Sequence, residues 1–500
     1  MNAKTCADAP VWAPEDAISA ERIGELTESF SADRANRVAR NAVTSSDVNK
    51  AARNPCAMRA YRDTYSVSIK RVGKVCNQRQ SGRCWMFSSM NVARHATMKY
   101  LDVDTFEFSQ AYGMFYDKLE KANAMLERII ATRDLPFDSR EVCYILDDGM
   151  SDGGYWPFAM NLIKKYGLVP KDAMPETACS KSSSEMDAQL ERLLHRDAGI
   201  LRKAAADGVD EDLLHAQKDE MLDEVYRVLA ICLGEPPQHF DLEVKVGPAC
   251  QAEESKISEV APTPKDLGAK GEDEYKAAKP VRILRDFGLT PLEFAAHYVP
   301  FDPDDYVNLV SMPGDTRPYG HAYHLTLTDS VIDGTPIRLL NVAPEVLDQA
   351  AIASLKAGIP VSMSCDVMQN FPRHIEDFKY VLSLDGVDMD GLFDVDFDMD
   401  RTSMLDMRET SLTHAMTFQG VELNEDGTPK AWRIENSWGK EQGKDGYLIA
   451  SAGWFHLYGG EVIVKREFVD DETLKMWDEL PAEDVTPWSG LAAGFAKKRL

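Results

Sequence analysis

Residues 77–88 read NQRQSGRCWMFS and place a cysteine directly after a glycine-containing turn. From Cys84 to Tyr100, small and apolar side chains recur every three or four residues, which predicts an amphipathic helix that begins at the cysteine. The partial positive charge at a helix N-terminus stabilises a thiolate, the reactive form of this side chain. Cys84 is therefore a candidate nucleophile. For this segment taken alone, the alternative is an inert cysteine in the core.

The loop before this helix also carries a candidate hydrogen-bond donor. Gln78 lies six residues upstream of Cys84, and its side-chain amide can turn toward the same cleft. Donors of this kind stabilise the negative oxygen that forms when a nucleophile attacks a carbonyl. We therefore expect Gln78 and the backbone N–H of Cys84 to form an oxyanion hole.

A predicted β-hairpin late in the chain supplies a histidine and an asparagine. Residues 424–428 (NEDGT) are a strong turn signal between two strand-like runs. The pairing that this turn predicts brings His414 within three residues of facing Asn436, a separation that a bulge or a diagonal contact can bridge. An amide oxygen bound to one ring nitrogen leaves the other free to face a thiol. By itself, His414 could equally be a core histidine.

These residues resemble the catalytic pattern of papain-like cysteine peptidases. The resemblance rests on Gln78, Cys84-Trp85, His414 and the run Asn436-Ser437-Trp438-Gly439. It is strongest to the branch that contains bleomycin hydrolase and bacterial aminopeptidase C. Further stretches similar to that branch are residues 77–87, 108–112, 152–154, 341–344, 412–416 and 435–439, and the similarity extends over residues 18–488.

The resemblance implies a fold, an activity and an assembly. It implies an α+β, papain-like fold with a helical part, an antiparallel β part and large helical and hook-like insertions. It implies a cysteine-type aminopeptidase that removes N-terminal residues from peptides through a thioester, with Cys84, His414, Asn436 and Gln78 as catalytic residues. Trp438 would shield the histidine from water, and Gly153 and Gly154 would present backbone groups to the substrate. Family members form homohexameric rings.

The chain divides into five predicted segments. These are a flexible leader (1–15), the helical part of the core (16–175), a mainly helical insertion and connector (176–300), the β-rich part (301–484) and a C-terminal arm that reaches toward the active site (485–500). In the family the terminal carboxylate of this arm captures the free amine of the substrate. Here Lys497-Lys498-Arg499-Leu500 extends beyond the usual end. This extension is either a frayed basic tail or a segment that is trimmed to a carboxylate near Ala496.

Composition excludes several function classes. The formal charge of −26 makes nucleic-acid binding and attachment to anionic membranes unfavourable. The N-terminus lacks the apolar run of a signal peptide, and the nine scattered cysteines form no CxxC, so we expect reduced thiols in the cytoplasm. His321 and His324 are a lone pair without an H-E-x-x-H motif. We expect neither a metal nor an organic cofactor.

Two rival functions fit part of the sequence. Residues 149–153 (GMSDG) match the G-x-S-x-G elbow of serine hydrolases, with Ser151 as nucleophile after a strand-like run at 142–146. Against this, Asp147 and Asp148 interrupt the run where an elbow should be apolar. The second rival is a catalytically silent papain-like ring that serves as a binding scaffold. An intact set of cysteine, histidine and asparagine argues against that rival.

Overall fold

The first part of the chain is mainly helical. The computed structural model of the protein describes residues 13–262 and 280–495. Helices here are α1 (Ala20–Ala32), α2 (Arg34–Ser45), α3 (Val48–Ala52), α4 (Cys84–Leu101), α5 (Gln110–Ala131), α6 (Arg140–Asp148) and α7 (Trp156–Tyr166). The start of α2 is capped by Asp33 and that of α3 by Asp47, whose side chains accept hydrogen bonds from backbone N–H groups. Of the predicted leader, residues 1–12 lie outside the described residues.

The helix that begins at Cys84 runs through the centre of the protein. Its extent agrees with the prediction, but α4 is buried on nearly all sides rather than on one face. The polar side chains tolerate burial because they bond to the other half of the molecule. Ser88 Oγ donates to the carbonyl oxygen of Met416 at 2.6 Å, and Arg94 pairs with Glu435 at 2.5 Å. This helix therefore joins the helical and β-rich parts.

The insertion contains helices and a small sheet. Its elements are α8 (Ala178–Lys181), α9 (Ser184–Ala206), α10 (Glu211–Leu233), β2 (Phe240–Val246), β3 (Ile257–Val260), β4 (Val281–Leu289) and α11 (Pro291–Tyr298). The long helices were predicted, whereas the antiparallel sheet in the order β2-β4-β3 was not. The composition of this region predicted only helices followed by a polar connector. Residues 240–246 (FDLEVKV) nevertheless alternate between apolar and polar side chains, as a strand does. Residues 263–279 of that connector lie outside the described residues.

The second half is built on a large mixed sheet. Its strands are β1 (Val67–Ser68), β5 (Tyr306–Val310), β6 (His321–Leu325), β7 (Leu339–Asn341), β8 (Val361–Cys365), β9 (Val381–Leu382), β10 (His414–Leu423), β11 (Pro429–Glu435), β12 (Tyr447–Ser451), β13 (Gly459–Lys465) and β14 (Ala482–Val485). They follow the order β14-β6-β7-β5-β13-β8-β10-β11-β12-β9, and β1 also pairs with β10. The helices here are α12 (Pro344–Lys356), α13 (Met389–Phe393), α14 (Arg401–Asp406), α15 (Ala452–Tyr458), α16 (Asp471–Glu479) and α17 (Gly490–Ala493).

The predicted hairpin is confirmed. Strands β10 and β11 are antiparallel, with Thr417 opposite Glu435 and Val421 opposite Trp432, and the register shifts once between these pairs. His414 is the first residue of β10, and Asn436 directly follows β11. The two candidate site residues therefore stand together at the open end of the hairpin.

The strand predicted at residues 142–146 is wrong. This segment belongs to α6, whose first turn is capped by Ser139, and Val142 and Ile145 are its buried side chains. Their spacing of three residues favours a helix that buries one narrow face.

Among the described residues, no helix combines the length and the apolar content required to cross a bilayer.

Candidate active site

Cys84 is held at the start of α4 by the residue before it. The guanidinium of Arg83 is buried and donates to Ser81 Oγ at 2.9 Å and to the carbonyl oxygen of Ser180 at 2.6 Å, and it pairs with Glu176 at 2.9 Å. Breaking such a buried pair is costly, so the loop has little freedom to move. Cys84 itself stays partly exposed. A thiol is thus presented to the cleft on a rigid support.

His414 and Asn436 are in direct contact. The distance from His414 Nε2 to Asn436 Oδ1 is 2.8 Å, and both residues are buried. The backbone N–H of Ser437 donates to the same oxygen at 2.8 Å. Because this oxygen already acts as an acceptor, His414 Nε2 must carry the proton of the bond. The other ring nitrogen is therefore the one available to the Cys84 side chain, with which His414 interacts.

Electrostatics favour a charged pair. Burial opposes ionisation of Cys84, but the charge of His414, a hydrogen bond from its ring and the N–H groups of Ala415 and Trp85 outweigh burial and lower the pKa of the thiol. Burial likewise opposes the imidazolium, yet the charge of Cys84 and the bonds to Cys84 and Asn436 raise the pKa of His414. The sulfur and the ring therefore stabilise each other as thiolate and imidazolium.

Trp438 covers the histidine. Its ring centroid lies 4.9 Å from that of His414, with the planes tilted by 33°. The indole is half-buried, so one face packs on the imidazole while its edge reaches the cavity. An apolar ring in this position suits the shielding role that the resemblance implies for Trp438.

The Gln78 side chain is oriented by two bonds. Its Oε1 accepts from Ser437 Oγ at 2.5 Å, and its Nε2 donates to the carbonyl oxygen of Ser81 at 2.7 Å. The amide has two N–H groups, so one further donor remains. Gln78 lines the same cavity as Cys84 and His414. This placement suits the oxyanion donor that the sequence predicts.

The glycine pair forms part of the opposite wall. Gly153 and Gly154 both line the cavity. A side chain at Gly154 would place its Cβ 2.5 Å from the ring of Trp85, so only glycine fits there. Trp85 Nε1 donates to the carbonyl oxygen of Asp152 at 2.8 Å, and Lys121 Nζ donates to that of Gly153 at 2.7 Å. The loop is thereby tied to the two helices behind it.

A buried ion cluster behind this loop was missed by the sequence analysis. Lys118 is fully buried on α5 and lies 2.8 Å from both Asp152 and Asp187. Asp152 also accepts from the backbone N–H of Gly82 at 2.8 Å and from Ser183 Oγ at 2.5 Å. The cluster therefore connects the glycine pair, the loop before Cys84 and α9. No local pattern marks these residues, because their partners are distant in the sequence.

The cavity lies between the two halves of the molecule. It encloses about 960 Å³ and opens beside Cys84. Pro487, Ala492 and Phe495 line it from the C-terminal side, and Phe495 lies 5.9 Å from the ring of Tyr155. The predicted arm thus contributes to the cavity wall as far as residue 495, whereas residues 496–500 lie outside the described residues.

The structure contradicts the serine hydrolase alternative, in which Ser151 is the nucleophile. A nucleophile elbow needs a strand before the serine, and here the preceding element is α6. Ser151 Oγ accepts from the backbone N–H of Gly153 at 3.0 Å, a contact that shapes the glycine loop. His321 and His324 lie on β6 and pair with carboxylates of β14 rather than with each other, at 2.6 Å to Glu483 and 2.8 Å to Asp484.

Comparison with known proteins agrees with this geometry. The model of a protein family described as "Peptidase C1-like family" matches residues 17–264 and 272–492 of this chain. The chain belongs to this family. Aminopeptidase C of Streptococcus thermophilus is 35% identical over 424 residues, which are 85% of this chain and 87% of that protein. Aminopeptidase C of Lactococcus lactis subsp. lactis is 33% identical over 476 residues, or 95% and 99% of the two chains.

A solved relative has the same architecture. The crystal structure of PepW from Lactobacillus rhamnosis HN001 superposes with a TM-score of 0.84 at 33% identity, over 95% of this peptidase and 98% of PepW. The predicted papain-like α+β fold is confirmed, as is the predicted enzyme class, a cysteine peptidase of the aminopeptidase type. Peptides are accordingly its substrates.

Proposed function

We propose that Cys84, His414 and Asn436 are the nucleophile, base and orienting residue that release N-terminal residues from peptides. The observation that carries the proposal is the placement of the His414 ring, which bonds Asn436 Oδ1 through Nε2 and interacts with the Cys84 sulfur, with Cys84 and His414 in the wall of one large cavity. Such an arrangement supplies a thiolate at neutral pH without any further group. No metal or organic cofactor is required for the chemistry proposed here.

The reaction starts from the thiolate–imidazolium pair. Cys84 attacks the carbonyl carbon of the first peptide bond, and the oxyanion is held by its own backbone N–H and by the free N–H of Gln78. His414 then gives its proton to the leaving amine, and a thioester with Cys84 remains. Water enters, His414 removes its proton, and attack on the thioester releases the amino acid and restores the thiolate.

Three further residues are proposed to hold the substrate. Gly153 and Gly154 stand in the cavity wall without side chains, so their backbone groups can pair with an extended peptide. Trp438 packs on His414 and lines the same cavity, so it would contact the residues that follow the scissile bond. Together they would place the first peptide bond over the sulfur.

The C-terminal arm is proposed to limit cleavage to one residue. Gly494 accepts a hydrogen bond of 2.7 Å from the backbone N–H of Leu412, two residues before His414, and Phe495 lines the cavity. A carboxylate just beyond this point would pair with the α-ammonium of a substrate and set its depth in the cleft. This part of the proposal also gives a function to the predicted segment 485–500.

A blocked substrate tests the aminopeptidase mode. One peptide is offered with a free and with an acetylated N-terminus, to the wild type and to Cys84→Ala. Cleavage of the free peptide alone by the wild type, and of neither by the variant, is the expected result. Equal cleavage of both peptides by the wild type would contradict the one-residue limit. Turnover by Cys84→Ala within tenfold of wild type would contradict the nucleophile.

Assembly into a homo-oligomer is the second part of the proposal, with a hexamer as the family resemblance implies. Helix α1 has no buried residue, and its apolar side chains share one face, with Ile23 51% exposed, Leu26 46% and Phe30 41%. A second copy of the chain is the partner that would cover such a face in the assembly. Light scattering should give a multiple of the chain mass for wild type and a smaller species for Phe30→Ser. A wild-type mass of one chain would contradict assembly.

A cytoplasmic location is the third part of the proposal. The nucleophile must stay reduced, and the cysteines of the described residues form no disulfide. Cell fractionation should recover the activity with the cytoplasmic markers. Recovery in an extracytoplasmic fraction would contradict this location.

A further inference from the structure

One arginine stands beside His414 with no charged partner among the described residues. The guanidinium carbon of Arg373 lies 5.5 Å from the centroid of the Trp438 ring, which in turn packs on His414. Arg373 is exposed and lines the cavity. Within residues 13–262 and 280–495, its side chain makes no ion pair and no hydrogen bond, and only its backbone N–H is bonded, to Phe371.

The other cations of the cavity wall are already bound. Lys121 Nζ pairs with Asp117 at 2.8 Å and donates to two carbonyl oxygens of the glycine loop. Arg128 donates to the carbonyl oxygen of Asp329. Among the described residues that line this cavity, Arg373 is therefore the cationic side chain still free to bind a ligand. The wall also carries several carboxylates, including Asp148, Asp152 and Glu461, so Arg373 is a positive side chain in a mainly acidic wall.

The position of Arg373 identifies which part of a substrate it meets. The proposed mechanism has His414 protonate the leaving amine, so the residues after the scissile bond lie on the side of His414 and Trp438. The two ring distances, 5.5 Å and 4.9 Å, limit the separation between the guanidinium and the imidazole to their sum. An extended residue spans roughly 3.5 Å. A carboxylate that ends the chain one or two residues after the scissile bond falls within reach of the flexible arginine.

We propose that Arg373 binds the terminal α-carboxylate of dipeptides and tripeptides, and so favours short peptides with a free C-terminus. This inference rests on the proposed roles of Cys84 and His414. A guanidinium offers two parallel N–H donors to a carboxylate, and the Trp438 ring supports its planar face. A longer peptide carries no negative charge at this point and gains nothing from the contact.

Three substrates that share the same N-terminal residue, leucine, test the proposal. They are leucyl-alanine, leucyl-alanine amide and leucine p-nitroanilide, of which the first alone has a carboxylate near Arg373. Wild type should show a kcat/KM for leucyl-alanine about tenfold above that for its amide, as expected for a charge-assisted hydrogen bond. In Arg373→Gln the ratio of the two should fall close to one, through a higher KM for the free dipeptide. Arg373→Glu should reverse the preference.

The matched control is Arg192→Gln, an exposed arginine on the outer surface of α9 that should keep the wild-type ratio. An unchanged ratio in Arg373→Gln, or an equal loss on all three substrates, would overturn the proposal. These outcomes differ from failure of the proposed triad, because that failure would appear as turnover of leucine p-nitroanilide by Cys84→Ala.

Discussion

The hydroxyl of Ser437 donates a hydrogen bond of 2.5 Å to Oε1 of Gln78, although 359 residues separate the two in the chain. Ser437 follows Asn436, and Gln78 belongs to the loop that leads to Cys84. The contact connects the candidate orienting residue, Asn436, with the candidate oxyanion donor. It also determines how the Gln78 amide is turned, because its oxygen must face the hydroxyl while its nitrogen donates one N–H to the carbonyl oxygen of Ser81 and keeps the other.

The first prediction concerns this donor. Gln78→Ala should lower kcat by roughly 10²- to 10³-fold, since one preorganised donor to the oxyanion is lost. Ser437→Ala should lower kcat less, because the amide remains and only its orientation is relaxed. Steady-state kinetics with one peptide substrate measures both. A Gln78→Ala enzyme with wild-type kcat would remove Gln78 from the oxyanion hole.

The second prediction concerns pH. The reactive pair exists above the lowered pKa of Cys84 and below the raised pKa of His414, so activity should fall in acid as the thiolate is protonated and in alkali as the imidazolium loses its proton. The hydrogen bond that His414 donates to Asn436 Oδ1 is one cause of the raised pKa of His414. Asn436→Ala should therefore shift the alkaline limb of kcat/KM to lower pH.

The same variant should also lose activity at the optimum, roughly 10- to 100-fold, because the ring is less well positioned. The hairpin-turn variant Asn424→Ala is the control, since Asn424 is exposed and bonds only within its own turn. An alkaline limb that moves equally in both variants would show that Asn436 does not act on His414.

The third prediction concerns the identity of the nucleophile. Iodoacetamide at pH 6 should modify Cys84 before the exposed Cys143, because Cys84 has an imidazolium partner that stabilises the thiolate. Peptide mapping by mass spectrometry measures the two rates. Cys143→Ser should still be inactivated by the reagent, and Ser151→Ala should retain most of its activity, because it loses only the contact with the backbone N–H of Gly153. Complete loss of activity in Ser151→Ala with full reactivity at Cys84 would contradict the assignment.

The fourth prediction concerns the buried cluster at Lys118. Burial raises the pKa of Asp187 to about 6, while at Asp152 burial is outweighed by the charge of Lys118, which lowers that pKa. Lys118→Met would leave two partly buried carboxylates without their fully buried cation and should destabilise the fold by about 3–5 kcal/mol. Denaturant unfolding measures the loss.

Two further variants make this test specific. Lys203→Met removes an exposed pair with Asp207 on α9 and should leave the midpoint of unfolding unchanged. Adding Asp187→Asn to Lys118→Met should recover part of the loss, because one unpaired charge is removed. No recovery in the double variant would show that the Lys118 methylenes, and not its charge, stabilise this region.

The fifth prediction concerns the end of the chain. If the aminopeptidase limit needs a carboxylate near Ala496, the active enzyme should lack Lys497 to Leu500. Intact mass spectrometry of freshly prepared protein should show this shorter chain for wild type and the full chain for Cys84→Ala. A fully active enzyme that retains Leu500 would show that trimming is not required.

Several elements could be predicted because their signals are local. The turn at residues 424–428 and the flanking strands contain the information for the hairpin that joins His414 to Asn436. The spacing of small and apolar residues after Cys84 marks the helix. The strand prediction for residues 142–146 was wrong, because a short apolar run is compatible with both a strand and a helix until its packing partners are known.

The sequence alone indicated the family and the enzyme class, because its motifs resemble those of known peptidases. It also located the helix of Cys84 and the hairpin of His414 and Asn436, since residue order encodes periodicity and turns directly. Only the tertiary structure decided which distant groups share one environment. Lys118 with Asp152 and Arg373 with Trp438 are pairs of this kind. Their interaction depends on burial and separation in space, and neither quantity exists until the chain has packed.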